Sequence, residues 1–354
     1  MSMSILQDAR SGAQSGHYVP AVEVTRGPIV ESIHAAAVAV ADATGAVTAR
    51  LGGVDHVVYM RSAIKPFQAM AVIESGAAEA FSLTPEEIAV ICGSHSGEPQ
   101  HVETVARILA KAGLGPEALR CGAHIPFSPK VAAEVRRTGR APTSLEHNCS
   151  GKHAGMLAAA AAGGHDVATY LEPSHPVQQK VIGIIADLTG RMRDRIVVGV
   201  DGCGAPALGI TLAEAARAFA RLAGPDGLPP QHCDAARRIV AAMRSHPIMV
   251  AGAGMSDTEM TAHPRHELIA KRGAEGVQCL AFVKDGIARG VAAKVADGNN
   301  VRGRIAVTCE ILRQMDLMTA SEVEALTEIS ALSIRSDAGR EVGRVRGAFR
   351  LQSL

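Results

Sequence analysis

The stretch MRSAIKPFQAM sets Ser62 and Lys65 three places apart. A serine hydroxyl is a poor nucleophile at neutral pH and needs a base beside it. Lysine can be that base only when burial or a neighbouring cation lowers its pKa from an unperturbed value of about 10.4. Side chains at i and i+3 can meet on one helix face. Pro66 disfavours helical backbone at Lys65 but suits the first turn of a helix that begins there. The pair therefore reads either as nucleophile and base on a tight turn, or as an ordinary helix start with a solvated lysine.

Four more stretches carry reactive side chains. ICGSHSGE (residues 91–98) brackets Ser94, His95 and Ser96 with glycines. It is not the hydrolase elbow G-x-S-x-G, because its centre is His95 and no clear helix follows. HNCSGKH (147–153) crowds Cys149, Lys152 and His153 into a helix start. Free N–H groups and the helix dipole there lower a thiol's pKa and favour an anionic group. The same residues would also suit a capped helix around a buried cysteine. In VGVDGCGAPA (198–207), Gly202, Gly204 and Ala207 fit G-x-G-x-x-A, yet the second strand and its acidic residue about twenty places on are missing. The other reading sets Asp201 and Cys203 at a strand's C-terminal end, where α/β sites form. HELIAK (266–271) has Ala270 where a zinc protease needs its second histidine. Lys271 is followed by RGAEG, whose glycines let another backbone approach.

The elements that must position these residues follow from periodicity. Residues 1–16 are polar and glycine-rich, as in a disordered leader. EVTRGPIVESIH and AAAVAVADATGAVTARLGG read as strands, with a turn at Thr44-Gly45. Helical patterns then dominate: residues 60–81, TPEEIAVI, QHVETVARILAKAG, SPKVAAEVRRTG, the segment after HNCSGKH, Pro176–Leu188, Leu212–Leu222 and Cys233–Ser245. RIVVGV reads as a buried strand running into a glycine loop. In ELIAKRGAEGVQCLAFVKDGIARGVAAKVADG (267–298) short runs broken by glycine suggest an antiparallel meander, and VRGRIAVTCEILRQM closes with a helix. We therefore expect an α/β (α+β) chain, an antiparallel sheet built from both termini with a helical insertion. The expected lobes are a sheet lobe of about 17–60 and 250–354 and a helical lobe of about 61–249, forming a single catalytic unit over 17–354.

Composition narrows the function classes. With 36 basic and 35 acidic residues, spread evenly, the chain lacks the concentrated basic face that nucleic acid or an anionic membrane requires. No apolar run is long enough to span a bilayer, and the first residues lack a secretory pattern, so a cytoplasmic protein is expected. Seven cysteines in such a chain suggest metal binding or catalysis rather than a disulfide framework.

Taken together and in order, RSAIKP, CGSHSGE, HNCSGKHAGM, DGCGAP, HPIMVAG and AKRGAEG closely resemble the asparaginase II family, of the rhizobial thermolabile type, from about Val22 to Gly303. The resemblance implies a serine β-lactamase/penicillin-binding-protein-like fold shared with glutaminases, and hydrolysis of L-asparagine to aspartate and ammonia, usually by a homodimer. It implies two Ser–Lys tandems, Ser62 with Lys65 and Ser94 with Lys271, of which Ser62 and Lys65 would be nucleophile and base. It implies one zinc ion held by Cys149, Lys152 and Cys203, no organic cofactor, and substrate contacts from Arg61, His153 and Asp201. In VAGAGMSDTEM some relatives carry an acidic or threonine side chain at Ala253 and a basic one at Met255; both are apolar here, with Asp257 and Glu259 close by in sequence. That bears on the choice between asparagine and glutamine. The alternatives are another amidohydrolase such as a glutaminase, a metal-dependent amidase, or a catalytically inactive amino-acid- or zinc-binding homologue.

Overall fold

The computed structural model describes residues 17–354, so the expected leader lies outside the described residues. The chain divides into two compact units. One comprises residues up to Ala63, Gly209–Gly224 and His263–Leu354; the other comprises Ile64–Leu208 and Pro225–Ala262.

The first unit is built on an antiparallel sheet from both ends of the chain. Its strands are β1 (Val19–Arg26), β2 (Ile29–Asp42) and β3 (Val47–Leu51), with a short β4 (Val57–Tyr59) apart from them. After β5 (Val197–Val200) in the second unit and β6 (Pro206–Thr211), which leads back into the first, come β7 (Ile269–Arg272), β8 (Val277–Lys284) and β9 (Ile287–Val295). The last strands are β10 (Ser333–Arg335), β11 (Glu341–Gly347) and β12 (Gln352–Ser353). The sheet order is β10-β11-β1-β2-β9-β8-β7, with β3 also on β2 and β12 on β3. The meander expected from the glycine-broken runs is β7–β8–β9, in register at Lys271↔Cys279 and Cys279↔Ala292.

Small side chains explain how a helix lies so close to this sheet. Ala37, Ala39 and Ala41 of β2 pair with Lys294, Ala292 and Gly290 of β9. Against that face packs the Leu212–Ala223 helix, whose N-cap Thr211 and Glu214 form a capping box. A Cβ on Gly290 would lie 2.0 Å from the carbonyl oxygen of Ala216. Only glycine fits there, because a backbone oxygen cannot step aside. The Gly303–Gln314 helix also packs on the sheet, against β1, β2, β9 and β11.

The second unit is helical. Two of its helices, Lys65–Glu74 and Ser150–Ala162, are buried around almost their whole circumference. Such helices form the centre of a bundle rather than its surface. Around them pack Pro85–Ile91, Pro99–Lys111, Pro176–Thr189 and Pro230–Ser245. The Pro99–Lys111 helix buries His101, Thr104, Val105, Ile108 and Leu109, the i, i+3, i+4, i+7, i+8 stripe of an amphipathic helix.

The division differs from the expected one in two places. Gly209–Gly224 belongs with the sheet, and the helical unit extends to Ala262 rather than 249. Amphipathicity shows that the Leu212–Ala223 helix buries a face, but not which neighbour covers it. Strand β5 is also half-exposed rather than buried.

Candidate active site

Of the candidate residues, Arg61, Ser62 and Lys271 lie in the sheet unit. Arg61–Ile64 form one 3-10 turn, entered through a left-handed Arg61 (φ 50°). Glu275 is left-handed too (φ 60°), and its carboxylate lies 3.9 Å from the Arg61 guanidinium. Non-glycine residues held in this region store strain, which clusters at functional sites. Lys271 is fully buried on β7 and donates to the carbonyl of Arg272 at 2.9 Å. Two residues on, Gly273 lies so close to the carbonyl of Met60 that a Cβ would sit 2.6 Å from it. The sequence RGAEG thus keeps the Lys271 strand against the segment that carries Arg61 and Ser62.

Lys65, Ser94, Cys149, Lys152, His153, Asp201 and Cys203 lie in the helical unit. The α-helix begins at Lys65, with Pro66 in its first turn. Lys65 is fully buried rather than solvated. Its Nζ donates to the carbonyls of Gly93 at 2.6 Å and Asn148 at 3.2 Å, and lies 2.9 Å from Ser94 Oγ. Burial pushes the Lys65 ammonium below its ordinary pKa and Lys152 adds to this, while Cys149 pulls the other way.

The loop 93–98 and the Cys149 turn are joined by packing and by one histidine. Gly151, at the start of its helix, sits where a Cβ would be 2.3 Å from the carbonyl of Val90. That contact draws the end of the Pro85–Ile91 helix, and so Ser94, onto the HNCSGKH turn. His95 is fully buried, and its Nδ1 accepts the N–H of Gly97 at 3.2 Å. Its Nε2–H therefore donates to Ser150 Oγ at 2.9 Å, and Ser150 donates in turn to the carbonyl of Leu145 at 2.8 Å. Burial holds His95 well below the ordinary imidazole pKa, so it ties two loops together as a neutral group. Its fixed neighbours, rather than a substrate, use both ring nitrogens.

Cys149, Lys152 and Cys203 are all buried and adjacent. The Cys203 thiol hydrogen-bonds to Cys149, which with Lys65 and Lys152 nearby holds the Cys149 thiol well below its usual pKa. The same bond, together with burial, pushes Cys203 up. Burial alone would lower Lys152, but Cys203, Cys149 and Asp201 outweigh it and hold the ammonium charged. Two sulfurs and an amine could serve a borderline-soft cation such as zinc only after Cys203 and Lys152 lose their protons. Among the described residues no group of three or more His, Cys, Asp or Glu that could hold a metal ion is found, and none of the seven cysteines forms a disulfide. Asp201 caps its own turn, accepting the N–H of Gly202 at 2.7 Å, while its N–H donates to Ala205.

Sequence motifs missed two participants. Tyr170, whose hydroxyl lies 2.7 Å from Nδ1 of His153, sits in a turn with no motif around it. The carbonyl of Asn148 on Lys65 is a backbone contact, which residue type cannot signal.

No helix among the described residues is long and apolar enough to cross a membrane. No curated protein sequence matches the chain. Similar solved structures include the protein Mglu in its native form, at 17% identity and TM-score 0.44, covering 90% of this chain and 72% of that one. A β-lactamase from Mycobacterium bovis matches at 15% identity and TM-score 0.38, covering 78% and 94%. A Bacillus glutaminase matches at 14% identity and TM-score 0.38, covering 89% and 97%. Likenesses this distant say nothing of activity. The family model for L-asparaginase II is of a different order, because it matches residues 22–347, nearly the whole chain and every stretch described above. The chain belongs to the L-asparaginase II family, whose members are amide hydrolases.

Proposed function

We propose that the protein hydrolyses L-asparagine to L-aspartate and ammonia through a serine acyl-enzyme with lysine as base. The observation that carries this reading is Lys65, fully buried, depressed in pKa, and 2.9 Å from a serine hydroxyl. A lysine base must be neutral at working pH, and burial beside a second cation favours that. Ser62 with Lys65 was the pair expected from spacing. The Lys65–Ser94 bond favours a second assignment, in which Ser94 is the nucleophile. A neutral Lys65 amine has two N–H bonds for the carbonyls of Gly93 and Asn148, leaving its lone pair for the Ser94 proton.

In either assignment the serine oxygen bonds to the side-chain carbonyl carbon as its proton passes to lysine. The lysine ammonium then protonates the nitrogen, the C–N bond breaks and ammonia leaves. Water hydrolyses the ester, giving aspartate and the free serine. The other Ser–Lys members, with Lys271, would relay protons. Arg61 would pair with the substrate carboxylate, Asp201 with its α-ammonium, and His153 would supply a further polar contact. Cys149, Lys152 and Cys203 would hold a zinc ion that orients substrate or stiffens the site. Binding it would require the protons of Cys203 and Lys152 to leave. The family likeness also suggests a homodimer, which light scattering would check.

The test is ammonia release from L-asparagine, with L-glutamine alongside, for wild type, Ser62→Ala and Ser94→Ala. Mapping an acid-quenched acyl adduct to a peptide would identify the nucleophile. Silence of the wild type on both amides would sink the reading and leave an amino-acid-binding homologue. Glutamine turnover alone would make the protein a glutaminase.

A further inference from the structure

His153 and Tyr170 form a buried pair whose protons can be assigned by counting. Both side chains are fully enclosed, with ring centroids 5.6 Å apart and planes at 89°. The Tyr170 hydroxyl accepts the backbone N–H of Arg120 at 3.0 Å and lies 2.7 Å from His153 Nδ1. The Tyr170 turn is itself fixed, since Gln178 Nε2 donates to its carbonyl at 2.7 Å and the Arg120 guanidinium donates to the carbonyl of Ala168.

A tyrosine hydroxyl has one proton to give. The Arg120 N–H is a donor and cannot take it, so the proton goes to Nδ1 of His153. That makes Nδ1 the acceptor and puts the single imidazole proton on Nε2. A doubly protonated ring, or the Nδ1–H tautomer, would leave the tyrosine proton buried without an acceptor, which is costly. Nε2 of His153 is buried and has no hydrogen-bond partner among the described residues. The chain thus presents an N–H bond that lacks an acceptor, one residue from Lys152.

We infer that Tyr170 is a positioning residue for amide hydrolysis: it locks His153 in the Nε2–H tautomer, which donates to an oxygen of the bound amino acid. The inference rests on the asparaginase reading for the identity of the ligand, but the tautomer does not. Tyr170 touches no substrate; it acts through His153.

The experiment uses the full chain with histidine labelled in 15N, and two-bond 1H–15N correlations read the tautomer of each ring. The His153 signals are identified by their loss in His153→Gln. The expected wild-type pattern is an unprotonated Nδ1 and a protonated Nε2, with the Nε2–H proton moving downfield when L-aspartate is added. Tyr170→Phe should shift the pattern towards Nδ1–H. It should also raise KM for L-asparagine roughly tenfold, with kcat changed less, as loss of one hydrogen bond to a charged group would. A wild-type Nδ1–H pattern overturns the inference, as does a folded Tyr170→Phe with unchanged pattern and KM. If Tyr170→Phe fails to fold, the wild-type spectrum with and without L-aspartate decides. If asparagine is not turned over, the tautomer in the free protein still stands or falls by itself, so the two failures are distinct.

Discussion

The two units bury different things. The sheet unit is closed mostly by alanine, glycine and valine, as where the Leu212–Ala223 helix lies on β2 and β9, with Lys271 and Arg304 as its few buried charges. The helical unit encloses ionisable groups at its centre: Lys65, Lys152, His95, His101, His153, Glu87 and His232. Each of these needs partners to offset the loss of water, and those partners are themselves polar and placed. Tight apolar packing therefore supplies stability in one unit, while the other holds groups with displaced proton affinities. A substitution in the small-residue packing should cost folding, and one at a buried ionisable group of the candidate site should cost chemistry.

Lys65→Met is the strongest test of this division. It removes the candidate base while keeping the volume, so turnover should fall about a thousandfold or more. The melting temperature should move little, because an apolar isostere no longer has a buried amine to desolvate. A collapse of folding instead would mean that Lys65 is structural. Gly290→Ala is the converse: its methyl meets the carbonyl of Ala216, and urea unfolding should show a loss of roughly 2–3 kcal/mol. Turnover per folded molecule should be unchanged. Thr211→Ala, which removes a capping box from the Leu212–Ala223 helix, should cost about 1 kcal/mol in the same assay.

The smallest effect is expected at His232. Its Nδ1 lies 2.7 Å from Glu74, its Nε2 3.2 Å from Asp187, and Lys180 lies 3.9 Å from Glu74. The bond to Glu74 raises the His232 pKa despite burial. A raised folded value means that its stabilisation is fully present below the unfolded imidazole pKa and is lost as pH rises through the folded one. Melting temperature should therefore slope downwards with pH across that window in wild type, and the slope should flatten in His232→Gln. An unchanged slope in the variant would assign the dependence to another group.

The same contrast governs what could be read from the chain. The reactive stretches were legible because each gathers telling residue types within a few positions, and β7 to β9 because glycines punctuate their alternation. Strands β10 to β12 were not, since in EVGRVRG only Val345 is buried and no alternation survives. Spacing suggested Ser62 as the partner of Lys65; the Ser94 contact, 29 positions away, depends on how helices stack. The Gly151 and Gly273 contacts were invisible for the same reason, although glycines after Lys271 did hint at a close backbone.

The pairing of β1 with β11 also orders events during synthesis. Val22 lies opposite Gly347, and Ala36 of β2 opposite Val295 of β9. At about 5–20 residues per second, the partner of Val22 leaves the ribosome on the order of half a minute after it does. Meanwhile the intervening helices have emerged. The first hairpin must wait with both long edges unpaired, the state in which strands join the wrong neighbour. Yield in a cell should then depend on how well that hairpin is shielded until β9 and β11 arrive.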